Sequence, residues 1–224
     1  MSKRIIGIIL IFELALFVTE APANDADILR NKNLTASQLL EVKVYTESLC
    51  PDCRRFIRSQ LFPAMINNGW LKFTDLKFVP YGKVKSKVDP VTQKTTLNCQ
   101  HGNKECELNA LHACIVEHNT VEEQLKMINC LMDNMWSRAN ITTCSSDLNI
   151  KVRDAEKCKS TRLTPDILKK YGDDTDTIDI KFVPSISIDG EFVPDDQAEI
   201  LYNFSSIFCR KYSEKYGVKL PNCP

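Results

Sequence analysis

The chain has 224 residues, 43% of them hydrophobic and 26% charged, the values of a soluble globular protein with room for one domain and its decorations. Lysine plus arginine equals aspartate plus glutamate, 29 against 29, so charge gives no support to a nucleic-acid or anionic-membrane partner. No repeat or low-complexity segment interrupts it.

Lys3 and Arg4 precede an apolar stretch from Ile5 to Val18 that is broken by Glu13, and Ala21-Pro22-Ala23 is a small-x-small cleavage site. Residues 1–23 read as a signal peptide rather than a membrane anchor, because the stretch is short for a bilayer span and carries a charge. Residues 24–40 follow as a loose polar segment. No later segment approaches the roughly 18 unbroken apolar residues of a spanning helix, so no membrane association is expected once the signal is removed. The 10 cysteines, an even number, read as disulfides first in a secretory chain. Sequons at Asn33, Asn140 and Asn203 agree with that compartment.

Val42 to Tyr45 predicts a buried strand. Cys50-Pro51-Asp52-Cys53 comes next, and then a helix over Arg54 to Asn67, bent by Pro63 and ended at Asn67-Asn68-Gly69. Leu71 to Val79 predicts a second strand, completing a βαβ unit. Val84 to Thr96 reads as a loop. Helices are expected over Glu105 to His118, after the capping box Thr120–Glu123, and from Thr164-Pro165 with Gly172 just past the end. Ser185 to Ile188 and Glu191 to Val193 flank Asp189-Gly190, the signal of a hairpin with a primed turn. A last helix from Asp195-Asp196 buries Ile200, Phe204, Ile207, Phe208 and Tyr212.

Thiol–disulfide exchange needs an attacking thiolate and a second thiol that resolves the mixed disulfide. A Cys-x-x-Cys at a helix start meets both needs. The helix N-terminus favours the anion of Cys50, and Cys53 lies one turn in. Asp52 opposes the thiolate, while Arg54 and Arg55 favour it; the sequence leaves that balance open. A zinc knuckle would require a second pair at similar spacing, and Cys99 and Cys106 do not supply one. Asp173, Asp174, Asp176 and Asp179 lack the spacing of a calcium loop and read as solvated, so no metal is expected. Glu47 is a candidate acceptor for the Cys53 proton, although an exposed loop acid is the favoured reading.

The order βαβ, helical insertion (about 99–175), ββα resembles the thioredoxin architecture, with residues 41–224 as one disulfide-rich α/β domain. In that fold a cis proline facing the Cys-x-x-Cys holds substrate backbone, a role that the resemblance assigns to Val183 and Pro184.

Cys99-Gln100-His101-Gly102-Asn103-Lys104-Glu105-Cys106-Glu107-Leu108-Asn109 matches C-Q-H-G-x-x-E-C-x-x-N. This is the signature of the gamma-interferon-inducible lysosomal thiol reductases, which the chain resembles from about Val42 to Cys223. The resemblance implies reduction of protein disulfides in an acidic endosomal, lysosomal or extracellular compartment. It implies Cys50 and Cys53 as the active pair, an external small thiol as electron donor and no bound cofactor. The signature residues Cys99, Gln100, His101, Gly102, Glu105, Cys106 and Asn109 have less evident roles. His101 reads as a titrating group or, in the blander reading, a loop residue. Glu105 and Asn109 read as caps or buried hydrogen-bond partners. Cys99, Cys106, Cys114, Cys130, Cys144, Cys158, Cys209 and Cys223 are expected in structural disulfides. Cys99 with Cys106 and Cys209 with Cys223 are the plausible local bridges, and the remaining connectivity stays open. Competing readings are a disulfide oxidase or isomerase on the same chemistry, or a non-catalytic disulfide-stapled binding glycoprotein.

Overall fold

The computed structural model describes residues 38–134 and 141–224. The signal segment 1–23, most of the segment 24–40 and the sequons at Asn33 and Asn140 lie outside these residues. Among the described residues no helix is long and apolar enough to cross a membrane.

Strand β1, Leu40–Thr46, runs parallel to β2, Thr74–Pro80, and antiparallel to β5, Ser185–Ile188, in a three-stranded sheet ordered β2-β1-β5. Register places Val44 opposite Phe78 on one side and Ile186 on the other. Leu40, Val42 and Val44 are fully buried, and so is Tyr45 of opposite parity, because the sheet is covered on both faces.

On one side lies α7, Gln197–Tyr216, which buries the expected Ile200, Phe204, Ile207, Phe208 and Tyr212. Phe208 stacks on Trp70, Phe204 meets Phe56 edge to face, and Tyr212 meets Phe73 in the same way. Asn203 leaves helical geometry within α7, and the side chain of Gln60 accepts the next N–H, that of Phe204, at 3.2 Å. Asn203, the described sequon, is exposed there.

Tyr45 packs with the helical insertion: α2, Asn103–His118; α3, Val121–Asp133; α4, Ile141–Leu148; α5, Arg153–Thr161; and α6, Thr164–Thr175. The capping box of Thr120 and Glu123 opens α3. Disulfides Cys114–Cys158 and Cys130–Cys144 tie α2 to α5 and α3 to α4. Cys99–Cys106 anchors the start of α2, and Cys209–Cys223 holds the tail to α7. The architecture is α/β, thioredoxin-like and disulfide-rich.

Several expectations are corrected. Residues 84–96 are not a plain loop: β3, Lys85–Val88, pairs antiparallel with β4, Thr95–Asn98. The ribbon is largely exposed, so it lacks the apolar alternation by which strands are read, and the Asp89 carboxylate forms its turn by accepting from Val91 and Thr92 N–H. The second strand starts at Thr74 rather than Leu71. Trp70–Phe73 forms a 3-10 turn that buries Trp70, whose indole donates to Pro221 O at 2.7 Å.

Gly172 lies inside α6, not past its end, because the Tyr81 ring occupies the space a side chain would need: an added Cβ would sit 2.9 Å from Tyr81 Cζ. The hairpin after β5 is reduced to a single bridge between Ile188 and Glu191, although Asp189 and Gly190 both take the positive φ of a primed turn. The helix after Cys53 is α1, Pro51–Phe56, continued by two wider π turns at Ile57–Leu61 and Pro63–Asn67. Pro63 has no N–H to give, and the ladder resumes past it with Asn68 N–H on the Pro63 carbonyl at 3.0 Å.

Candidate active site

Strand β1 delivers Glu47, Ser48 and Leu49 to the start of α1, where Cys50 is the N-cap and Pro51 takes the first helical position. Cys50 Sγ accepts the Cys53 backbone N–H at 3.1 Å, a cap made by sulfur in place of oxygen. Both cysteines are free. Cys50 is buried although it opens the helix. It is 5% exposed and Cys53 is wholly buried.

Their environments pull them apart. The hydrogen bond from the Cys53 thiol lowers the pKa of Cys50, helped by the main-chain N–H groups of Cys53 and Asp52, against its burial and the charge of Glu47. Burial raises the Cys53 thiol well above its ordinary value, and its bond to Cys50 adds to the effect. The Cys50 proton is thereby the more easily lost and the Cys53 proton the more tightly held.

Asp52 contributes less opposition than its position implies, since Arg55 pairs with it at 3.1 Å on the exposed side of the helix. Arg54 and Arg58 turn to Asp133 of α3 at 3.2 and 2.9 Å. Val183-Pro184 is a cis peptide, and the Val183 carbonyl lies 3.6 Å from Cys50 Sγ, so the loop before β5 reaches that sulfur.

The signature reaches the same place from the other side. Asn109 Oδ1 accepts the Ser48 N–H at 2.8 Å, and Ser48 Oγ donates to the Glu105 carbonyl at 3.3 Å. The Glu105 carboxylate accepts the His101 N–H at 3.0 Å and meets His101 Nδ1 at 2.5 Å. Glu105 and Asn109 are wholly buried, Gln100 and Gly102 are exposed, and Gly102 supplies a φ of 81° ahead of α2. The acidic run near α6 forms ion pairs instead: Asp174 with Lys43 and Asp173 with Lys169.

Glu47 corrects the sequence reading most sharply. It is fully buried, not an exposed loop acid. One oxygen accepts the Lys83 N–H at 2.7 Å; the other has no hydrogen-bond partner and lies 3.8 Å from His101 Nδ1. Burial raises its pKa, offset in part by the Lys83 N–H and reinforced by Glu105. The sequence signal was its place three residues before Cys50. What covers it is remote in sequence.

Residues 41–148 match the family model of the gamma interferon inducible lysosomal thiol reductases (GILT). GILT-like protein 2 of Drosophila melanogaster is 41% identical over 184 residues, covering 82% of this chain and 86% of its own. The chain belongs to the GILT family. The mouse (Mus musculus) gamma-interferon-inducible lysosomal thiol reductase is 34% identical over 122 residues, 52% of this chain and 46% of its own. A solved structure of an oxidised DsbA1 mutant superposes over 81% of this chain and 88% of its own at 15% identity and a TM-score of 0.44, too loose a likeness to bear on the chemistry. As a GILT-family member the chain is a thiol–disulfide oxidoreductase.

Proposed function

We propose that the protein reduces disulfides of protein substrates in an acidic part of the secretory or lysosomal pathway, with Cys50 as nucleophile and Cys53 as resolving thiol. The observation that carries this is the asymmetry of the pair. Cys50 caps a helix and has a lowered pKa, whereas Cys53 is enclosed and has a raised one. An ordinary thiol with pKa of about 8.5 is almost wholly protonated in an acidic compartment, so a stabilised Cys50 thiolate is what such a reductase requires.

Cys50 thiolate attacks a substrate disulfide, forming Cys50–S–S–substrate and releasing one substrate thiolate, which takes a proton from water. Cys53 then gives up its proton and attacks Cys50 Sγ. The Cys50–Cys53 disulfide forms and the second substrate thiol departs. Two molecules of a small thiol, oxidised to their disulfide, restore the dithiol. Val183 and Pro184 hold the substrate backbone beside Cys50, and no bound cofactor takes part. The names of relatives such as the mouse lysosomal reductase support the compartment.

A disulfide oxidase is the second reading, because stabilising the Cys50 thiolate also stabilises the reduced enzyme and raises its potential. One assay separates the readings. The protein is incubated with a disulfide-bonded substrate and a small thiol at acidic and at neutral pH, beside Cys50→Ser. The reverse run pairs oxidised enzyme with reduced substrate. Turnover that survives in Cys50→Ser would overturn the assignment. Oxidation faster than reduction would establish the second reading.

A further inference from the structure

Cys53 is wholly buried, yet resolution of the mixed disulfide requires its proton to leave. Water does not reach the sulfur directly. Glu47 stands beside the pair: its carbonyl accepts the Cys50 N–H at 3.3 Å, and its charge bears on both sulfurs. That carboxylate is itself buried, with one oxygen held by Lys83 N–H and the other unpartnered. That oxygen lies 3.8 Å from His101 Nδ1, and the same nitrogen is 2.5 Å from Glu105. Of these three side chains only His101 reaches solvent, with 35% of its side chain exposed.

We propose that the His101–Glu105 pair of the signature is the proton port of the reductase, carrying the Cys53 proton from Glu47 to solvent. The inference rests on the reading that Cys53 resolves the mixed disulfide. Cys53–SH gives its proton to the Glu47 carboxylate. The sulfur electron pair forms the Cys50–Cys53 bond, the Cys50–substrate bond breaks, and its pair leaves on the substrate sulfur, which is protonated by water. Glu47 passes its proton to the His101–Glu105 pair, and the exposed imidazole releases one to water. Imidazole suits this step because it has two ring nitrogens and can take a proton on one while giving one up from the other. The titratable and charged groups facing Glu47 are Cys50, Cys53, Lys83, His101 and Glu105, and those facing His101 are Glu47 and Glu105.

This separates two roles within one motif. Asn109 and the Cys99–Cys106 bridge position the loop, whereas His101 and Glu105 move a proton. His101 touches neither substrate nor reacting sulfur, so it acts through Glu47.

The test follows two successive releases of a coloured thiol from a small aromatic disulfide mixed with reduced protein. The first release reports attack by Cys50 and the second reports resolution by Cys53. His101→Gln is expected to leave the first rate unchanged and to slow the second by roughly ten- to a hundredfold, at the lower end of proton-transfer effects. Added imidazole should restore the second rate. Glu105→Gln, which keeps an acceptor for the His101 N–H, should slow the same release. In Glu47→Gln the second release should be slow and indifferent to imidazole, because the acceptor next to the enclosed sulfur is gone. A parent-like second release in His101→Gln overturns the port, and so does slowing of both releases without imidazole rescue. A parent protein that shows no first release dependent on Cys50 overturns the underlying assignment as well, so the two failures are distinguishable.

Discussion

Asn109 accepts the backbone N–H of Ser48 at 2.8 Å, so a residue of the signature helix holds the loop that presents Cys50. The bond spans 61 positions of sequence and both ends are buried. A second hydrogen bond between this loop and α2 runs from Ser48 Oγ to the Glu105 carbonyl at 3.3 Å.

Asn109→Leu leaves the Ser48 N–H buried without an acceptor. That costs about 1–3 kcal/mol, readable as a lower urea midpoint at unchanged slope. Asn109→Asp keeps an acceptor and, at acidic pH where its carboxyl is protonated, should retain more of the stability than Asn109→Leu. Equal losses in the two variants would mean that the bond is not what stabilises the loop.

His112 in α2 is wholly enclosed, with its Nδ1 unpartnered, and burial pulls its pKa down to about 4. The folded pKa lies below the unfolded one, so the unfolded chain takes up the proton first. Stability is full above the unfolded pKa of about 6.5 and is lost as pH falls toward 4. His112→Leu should therefore be more acid-resistant than the parent, by on the order of 2–3 kcal/mol near pH 4.5 relative to any difference at neutral pH. Chemical denaturation of the reduced proteins at both pH values measures this, and parallel pH profiles would refute it.

Glu47 works in the opposite sense. Its folded pKa is raised, chiefly by burial, so the folded chain holds the proton more tightly than the unfolded chain. Its contribution is greatest below the ordinary carboxylate pKa and is lost as pH rises through the raised value. Glu47→Gln keeps an oxygen for the Lys83 N–H and cannot ionise. It should gain stability over the parent at neutral pH and little at acidic pH. A variant that gains equally at both would show that Glu47 does not titrate in this window.

Gly82 has a φ of 62°, and a Cβ there would fall 2.7 Å from Glu47 Oε1. Gly82→Ala is expected to cost about 1–3 kcal/mol from left-handed backbone and to push the Glu47 carboxylate from its seat. Thermal unfolding reads the first effect. The second release of the coloured-thiol experiment reads the other, and it should slow more than the first.

The sequence by itself determined the chemistry, the family and the larger elements. Cys50-Pro51-Asp52-Cys53 after an apolar strand, the stripe from Ile200 to Tyr212 and the Thr120 cap are local patterns, and local patterns are written in consecutive residues. Tertiary structure decided whether each polar residue meets water. Glu47 is enclosed because the Gly82-Lys83 turn and the Cys99–Asn109 segment close over it, tens of residues away along the chain. The polar ribbon of β3 and β4 buries too little apolar surface to leave a periodic trace. Gly172 reads as a helix end until Tyr81 is seen against it. Burial belongs to the assembled chain rather than to a residue, and burial is what makes Cys53 hold its proton, leaves Glu47 half-partnered and turns His101 into the point nearest solvent.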